Sequence, residues 1–196
     1  MRWLAGLLLA LAVAPLAGAA STWKTHHVSG AGFGIAAPAA WIDVTRLTPE
    51  VLAKESTVPG LRAYVDAARS SKAIKLIVVD VGRTTIANRF ASGLNVTQVP
   101  AIGDLQTQRE ITVAQLKAAG IVLGAVASSY VTLPAGKALR LAYRARFAVS
   151  SPVVATLQFV FLHAGKATVI TYTTLPKLQS HYVVVFARSA HSFRFA

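Results

Sequence analysis

The sequence predicts an α+β domain built on an antiparallel sheet. Three observations carry this. Lys137 to Thr174 reads as three consecutive antiparallel strands separated by short turns. Two segments, Asp104–Ala119 and Pro176–Ala190, carry apolar residues at helical spacing. Further short strand-like runs bounded by Gly and Pro precede them, with no internal repeat and no long linker.

The three-strand stretch is the clearest. Leu139, Leu141, Tyr143 and Phe147 alternate with Arg140, Arg144 and Arg146, which is the period of a strand. Ser150-Ser151-Pro152 makes a turn, Val153–His163 a nearly all-apolar strand, Ala164-Gly165 a tight turn, and Lys166–Thr174 a third strand. Upstream, Thr22–Val28 is a strand with Ser29-Gly30-Ala31-Gly32 as its turn. Phe33 and Ile35 mark a short second strand, which Pro38 ends because proline cannot donate to a ladder. Gly30, Gly32 and Gly34 superficially resemble a phosphate loop, but no Lys-Ser/Thr and no helix follow, so a hairpin turn is the reading. Trp41 is an apolar anchor.

Thr48-Pro49-Glu50 begins a short helix that Val58-Pro59-Gly60 breaks. A second helix covers Leu61–Ser70, with Leu61, Tyr64, Val65 and Ala68 on one face. Lys75–Val81 is a continuous apolar strand, expected to be central and buried. Asp80 at its end is expected to pair with Arg83 or cap a turn. Arg83–Ser92 reads as irregular, and Gly93–Val99 as a strand closed by Pro100. Asn95-Val96-Thr97 matches the glycosylation pattern, a common chance match inside a strand. Asp104 caps the long helix to Ala119, with Leu105, Ile111, Leu116 and Ala119 facing inward and Gly120 as its stop. Ile121–Leu133 holds one strand or two short ones. In the last helix Leu178, Tyr182, Val185, Phe186 and Ala190 form the apolar face, and Ser192–Phe195 closes the chain as an extended end.

Composition narrows the function classes. There is no cysteine, so disulfides, thiolate chemistry, Cys-based zinc sites and a lipid-anchored cysteine at the leader junction are excluded. The formal charge is +13, and after Glu110 nine Lys or Arg follow with no acid among them. Such a surface favours anionic partners. Arg2, the apolar run Leu4–Leu16 and Ala17-Gly18-Ala19 form the three parts of a secretory signal peptide, with cleavage expected after Ala19 or Ala20. Residues 1–20 are therefore read as a leader and 21–196 as one mature domain, secreted or extracytoplasmic, without a membrane anchor after cleavage. Export makes nucleic acid an unlikely natural partner.

No catalytic motif is present. His26, His27, His163, His181 and His191 form no His-x-x-x-His pair, and no Gly-x-Ser-x-Gly elbow exists. Seven acids in all leave paired-carboxylate catalysis poorly supplied. No catalytic, cofactor-binding or metal-ligating residue is assigned, and no cofactor is expected. The one positive signal is the arginine stripe. Arg140, Arg144 and Arg146 share strand parity, and guanidinium forks suit phosphate and carboxylate, so these three are the candidate anion-binding residues; the competing reading is a solvated strand face.

The order of elements resembles the PsbP-like superfamily, with its LpqN-type and DcrB-like secreted members. The matching pieces are Gly32-Phe33-Gly34-Ile35 with Pro38 and Trp41, then Gly136-Lys137-Ala138, Gly165–Tyr172, and Ala190-His191-Ser192-Phe193-Arg194. The resemblance implies an antiparallel sheet flanked by helices on both faces, an α/β/α sandwich. It also implies a non-enzymatic accessory or binding role on larger assemblies, here an envelope protein assembly or an anionic surface, with the protein itself a monomer. The absent leader cysteine departs from the LpqN-type pattern. Two other functions compete: a hydrolase-type enzyme with a spatially assembled site, and a carrier of a small apolar or anionic ligand between sheet and helix. A pocket with Ser or His in reach of a carboxylate favours the enzyme; a shallow surface favours the binding module.

Overall fold

The structure, a computed structural model, describes residues 22–48 and 61–196. The expected leader and the expected helix at 49–60 lie outside them. The described residues form ten strands: β1 (Trp23–Val28), β2 (Phe33–Pro38), β3 (Ile42–Asp43), β4 (Ile74–Val79), β5 (Gly93–Pro100), β6 (Val122–Leu133), β7 (Gly136–Ala145), β8 (Val154–His163), β9 (Lys166–Thr174) and β10 (Arg194–Phe195). Four α-helices accompany them: α1 (Leu61–Ser70), α2 (Arg83–Asn88), α3 (Leu105–Ala118) and α4 (Gln179–Ser192).

The large sheet has the order β3-β4-β5-β9-β8-β7-β6, and its neighbouring strands all pair antiparallel. A small sheet, β1-β2-β10, is also antiparallel. Alternation along each strand divides the apolar residues between two faces. On one face Leu76, Val78, Leu94, Val96, Phe159, Phe161, Ile170 and Tyr172 meet Phe33 and Ile35 of β2 and Tyr182, Phe186 and Ala190 of α4. On the other, Ile77 and Val79 pack with Leu61 and Val65 of α1. Further along that face Leu139, Leu141, Tyr143 and Val160 pack with Leu105, Val113 and Leu116 of α3. The result is α+β, a large antiparallel sheet with helices on both faces.

Local chemistry explains the elements. Val28–Gly32 turns tightly because Gly32 adopts φ 67°, which a side chain would oppose. Asp104 accepts the Thr107 backbone N–H at 2.8 Å, capping α3. The β8–β9 hairpin turns through Ala164 (φ 48°) and Gly165 (φ 72°), both left-handed, matching a two-residue primed turn. α4 is held by burial of Tyr182, Phe186 and Ala190, by Ser189 Oγ donating to the Ala36 carbonyl at 2.7 Å, and by Arg188 lying 4.4 Å from the Trp23 ring centroid. Trp41 is buried against Tyr182 and Phe186.

Four expectations need correction. The strand at 74–79 is not central: only the two-residue β3 lies outside it, and its apolar run reflects cover on both faces. Residues 83–88 are helical rather than irregular, although Gly82 provides no side-chain cap. A local side-chain bond fixes the turn: Thr85, fully buried, donates its hydroxyl to the Asp80 carbonyl five residues back at 2.6 Å. On α3, Ala119 is exposed, and Val113 rather than Ile111 joins Leu105 and Leu116 against the sheet. Phe147 lies beyond the end of β7 and is 57% exposed, so it does not continue the apolar face of Leu139 to Tyr143. The expected turn cap at Asp80 is present, its carboxylate accepting the Gly82 N–H at 2.8 Å, and its other oxygen accepts the Tyr182 hydroxyl at 2.5 Å.

Candidate functional site

The arginine stripe resolves into a pair and an outlier. Arg140 and Arg144 lie on β7, on the face that carries α4. In the register Arg140 sits between Ser129 and Phe159, Ala142 between Ala127 and Leu157, and Arg144 between Leu123 and Ala155. Four residues along a strand put the two arginine Cα atoms about 13 Å apart. Arg146 lies one residue past the strand, where its backbone N–H donates to Ile121 O at 2.8 Å. Its side chain is exposed and does not join the other two.

Between Arg140 and Arg144 the sheet is low. Ala125, Ala142 and Ala155 leave space that a larger side chain would fill, and α4 stands beside it with Gln179, Val183 and Phe186. The space is a half-open groove of about 340 Å³. Leu123 on its rim is 42% exposed and Val183 49% exposed. A bulge between Leu123 and Ala127, made possible by Gly124 at φ 85°, shapes that rim. Among the described residues neither Arg140 nor Arg144 has a carboxylate within ion-pair distance. The chain explains why: no acid occurs after Glu110, and β6 to α4 come from that acid-free half. The groove thus offers two unpaired guanidinium groups flanking an apolar floor. That is chemistry for holding an anion with apolar neighbours. Among the described residues its lining contains no acid and no histidine.

The one His–carboxylate contact among the described residues is elsewhere. His26 Nδ1 lies 3.5 Å from Asp43 Oδ2, and Arg46 Nε lies 3.3 Å from the same oxygen. Burial raises the Asp43 pKa, but the His26 imidazole close beside it and hydrogen bonds from Thr45 outweigh that and hold the carboxyl below its ordinary value. His26 is buried and does not line the groove, and this trio ties β1 to β3. No group of three His, Asp or Glu among the described residues could hold a metal ion.

Comparison with known proteins follows from this geometry. No protein-family model matches the sequence, and no curated protein matches it. Solved structures do. Cyanobacterial PsbP (CyanoP) from Synechocystis sp. PCC 6803 superposes with a TM-score of 0.56 over 97% of this chain and 98% of its own, at 13% identity. The fold is PsbP-like. The Ran-binding protein Mog1p of Saccharomyces cerevisiae shares the PsbP-like arrangement, with a TM-score of 0.54 over 89% of this chain and 96% of its own, at 11% identity. LpqN, involved in cell envelope biogenesis of Mycobacterium tuberculosis, matches at a TM-score of 0.48 and 11% identity, over 89% of this chain and 91% of its own. At these identities the likeness is one of fold.

Strand parity puts Arg140, Arg144 and Arg146 on one face in the sequence, and the register keeps Arg140 and Arg144 there. Sequence reasoning did not find the opposite wall of the groove. Gln179 and Val183 were assigned to no site, because a helix face covering a sheet partly reveals its overhang only when the two are packed. Within the described residues no helix is long and apolar enough to cross a membrane.

Proposed function

We propose that this PsbP-like protein is an exported, non-enzymatic accessory protein that docks an acidic, partly apolar segment of a partner protein in the groove between β7 and α4. The observation that carries this reading is the pair of unpaired arginines on either side of an apolar floor. Arg140 is half-buried there and Arg144 exposed. A recessed guanidinium is less screened by salt than one on an open surface, so a carboxylate inserted beside it gains more than one at the rim. The apolar floor and the exposed Leu123 and Val183 add contact area that a bare phosphate or a flat anionic surface does not use. Mog1p, of the same fold, is itself a Ran-binding protein, which supports a binding role. Export rests on the charged start, apolar run and Ala-x-Ala junction at the N-terminus.

Site-specific photo-cross-linking tests it. A photoreactive residue at position 183 is expected to capture a discrete envelope protein in the native host. R140Q/R144Q should abolish that product, whereas K117Q/K137Q, which loses the same charge of two, should retain it. Equal loss from both variants would mean diffuse basic charge and no site. N-terminal sequencing of the exported protein should begin at Ala20 or Ser21; retention of Met1 would refute cleavage of the leader.

A further inference from the structure

The opposite face of the large sheet carries a second cavity of different chemistry. Its apolar cover comes from two separate groups, α1 over β4 and α3 over β6 to β8. Between them neither helix lies on the sheet. The register there sets polar residues side by side across three strands. Asn95, Thr171 and Gln158 form one row, and Thr173 and Thr156 are paired in the next. Gln158 Nε2 donates to Thr171 Oγ1 at 3.1 Å. Gln158 Oε1 and the Thr156 hydroxyl are buried without a hydrogen-bond partner, and Thr156 as a whole is only 4% exposed. A polar stripe on an otherwise apolar face costs stability unless its groups are satisfied.

A cleft of about 530 Å³ opens over one end of this stripe, at Asn95, Thr171 and Thr173, while Gln158 and Thr156 lie beside it and outside its lining. Asn95, Thr171 and Thr173 contribute its polar part. Its apolar part includes Ile77, Phe90 and Phe147. Phe147 stands on the β7–β8 loop, 57% exposed, where a large aromatic gains nothing from burial in the protein itself. Among the described residues the lining holds no Lys, Arg, His, Asp or Glu, in a chain of formal charge +13. Tyr64, the one titratable group of the lining among the described residues, donates its hydroxyl to the Ala91 carbonyl at 3.1 Å, and burial pushes its pKa up to about 12. A charged ligand group placed here would lose its hydration with no counter-charge to replace it.

We infer that this cleft is a second binding site, for an uncharged and mainly apolar small molecule that carries a hydroxyl or carbonyl group. The apolar body meets Phe90, Phe147 and Ile77, and the polar end meets Asn95, Thr171 and Thr173. The volume falls within the usual range of about 300–1,000 Å³ for small-molecule sites, which combine apolar walls with a few placed polar groups. This site is independent of the arginine groove, which lies on the other face of the sheet and selects the opposite charge character.

The test uses the full mature protein and a neutral fluorescent probe, N-phenyl-1-naphthylamine, with 1-decanol and decanoate as competitors. Saturable fluorescence enhancement is expected, with decanol displacing the probe at a concentration at least about tenfold lower than decanoate. F147S, at an exposed position, should leave the melting temperature unchanged and weaken the probe severalfold. T173V should weaken decanol by about two- to tenfold, the range for one net hydrogen bond, while barely affecting the hydroxyl-free probe. R140Q/R144Q should leave all of these unchanged. No saturable binding, equal displacement by decanoate, or full binding by F147S would each overturn the inference. Loss of probe binding in R140Q/R144Q would do so too, by assigning the probe to the arginine groove.

Discussion

Phe186→Ala is the sharpest test of the packing that builds the groove. Phe186 is 4% exposed, with its ring centroid 4.9 Å from Tyr172, 5.6 Å from Tyr182 and 6.5 Å from Trp41. It joins α4 to β9 and to the turn after β2 in one aromatic cluster. Removing it deletes the transfer free energy of a buried ring and leaves a void, which together cost about 3–5 kcal/mol in typical cores. Here the lower end applies, about 3 kcal/mol, because Phe186 also lines the groove and the void opens to solvent there. For a chain of this size that lowers the melting temperature by about 6–12 °C. Val184→Ala is the control: Val184 lies on the same helix, 71% exposed, and should change stability by no more than about 0.5 kcal/mol. Thermal unfolding followed by near-ultraviolet circular dichroism measures both. Equal melting temperatures for the two variants would mean that α4 does not turn this face to the sheet.

Other expectations follow from single contacts. Tyr182→Phe deletes the hydroxyl that donates to Asp80 and leaves a carboxylate short of a partner; it should cost about 1.5–3 kcal/mol in urea unfolding, and an unchanged midpoint would remove that bond from the account. Asp43 titrates below its ordinary value in the folded state, so its contribution is present above the unfolded-state pKa and is lost as pH falls through the lower folded-state pKa. The melting temperature of Asp43→Asn should therefore fall less steeply than that of the parent below about pH 4; parallel curves would contradict the assignment. Gly124→Val forces a β-branched side chain to φ 85° at the β6 bulge and should reshape the groove rim, seen as weakened partner capture with most of the stability retained.

The meander was legible because each strand carries its own alternation. Leu139, Leu141 and Tyr143 point one way and Arg140 and Arg144 the other, and nothing distant is needed to see it. Arg146 shares the parity but not the strand, since parity says which face a residue would take and not where pairing stops. The helix at 83–88 was illegible for the opposite reason. Arg83-Thr84-Thr85 has weak helical preference and no capping side chain, and the fold overrides that through Thr85 and the Asp80 carbonyl. The cleft left no signal either. Asn95, Gln158 and Thr171 are ordinary strand residues, and only the pairing of β5 with β9 and of β9 with β8 makes them neighbours.

The two cavities have a common origin in how this sheet is covered. Seven strands present more surface than α1 and α3 on one side, or α4 and the small sheet on the other, can hide. The uncovered strips differ in chemistry because they draw on different strands. The α4 side exposes β7, from the acid-free half of the chain, so its gap carries two guanidinium groups with no internal counter-charge. The other side exposes the middle strands β5, β9 and β8, where a lysine or arginine would be held far from water, and its gap carries amides and hydroxyls. Position within the sheet would thus sort the proposed ligands: an anion where two guanidinium groups stand without a carboxylate among the described residues, and a neutral molecule where the strip carries only amides and hydroxyls. Moving one charge across that boundary exposes the rule. Thr171→Arg would bury a cation at the sheet centre beside Gln158 and should destabilise the protein strongly, whereas Ala142→Arg, between Arg140 and Arg144, should fill the anion groove and block capture while the fold persists.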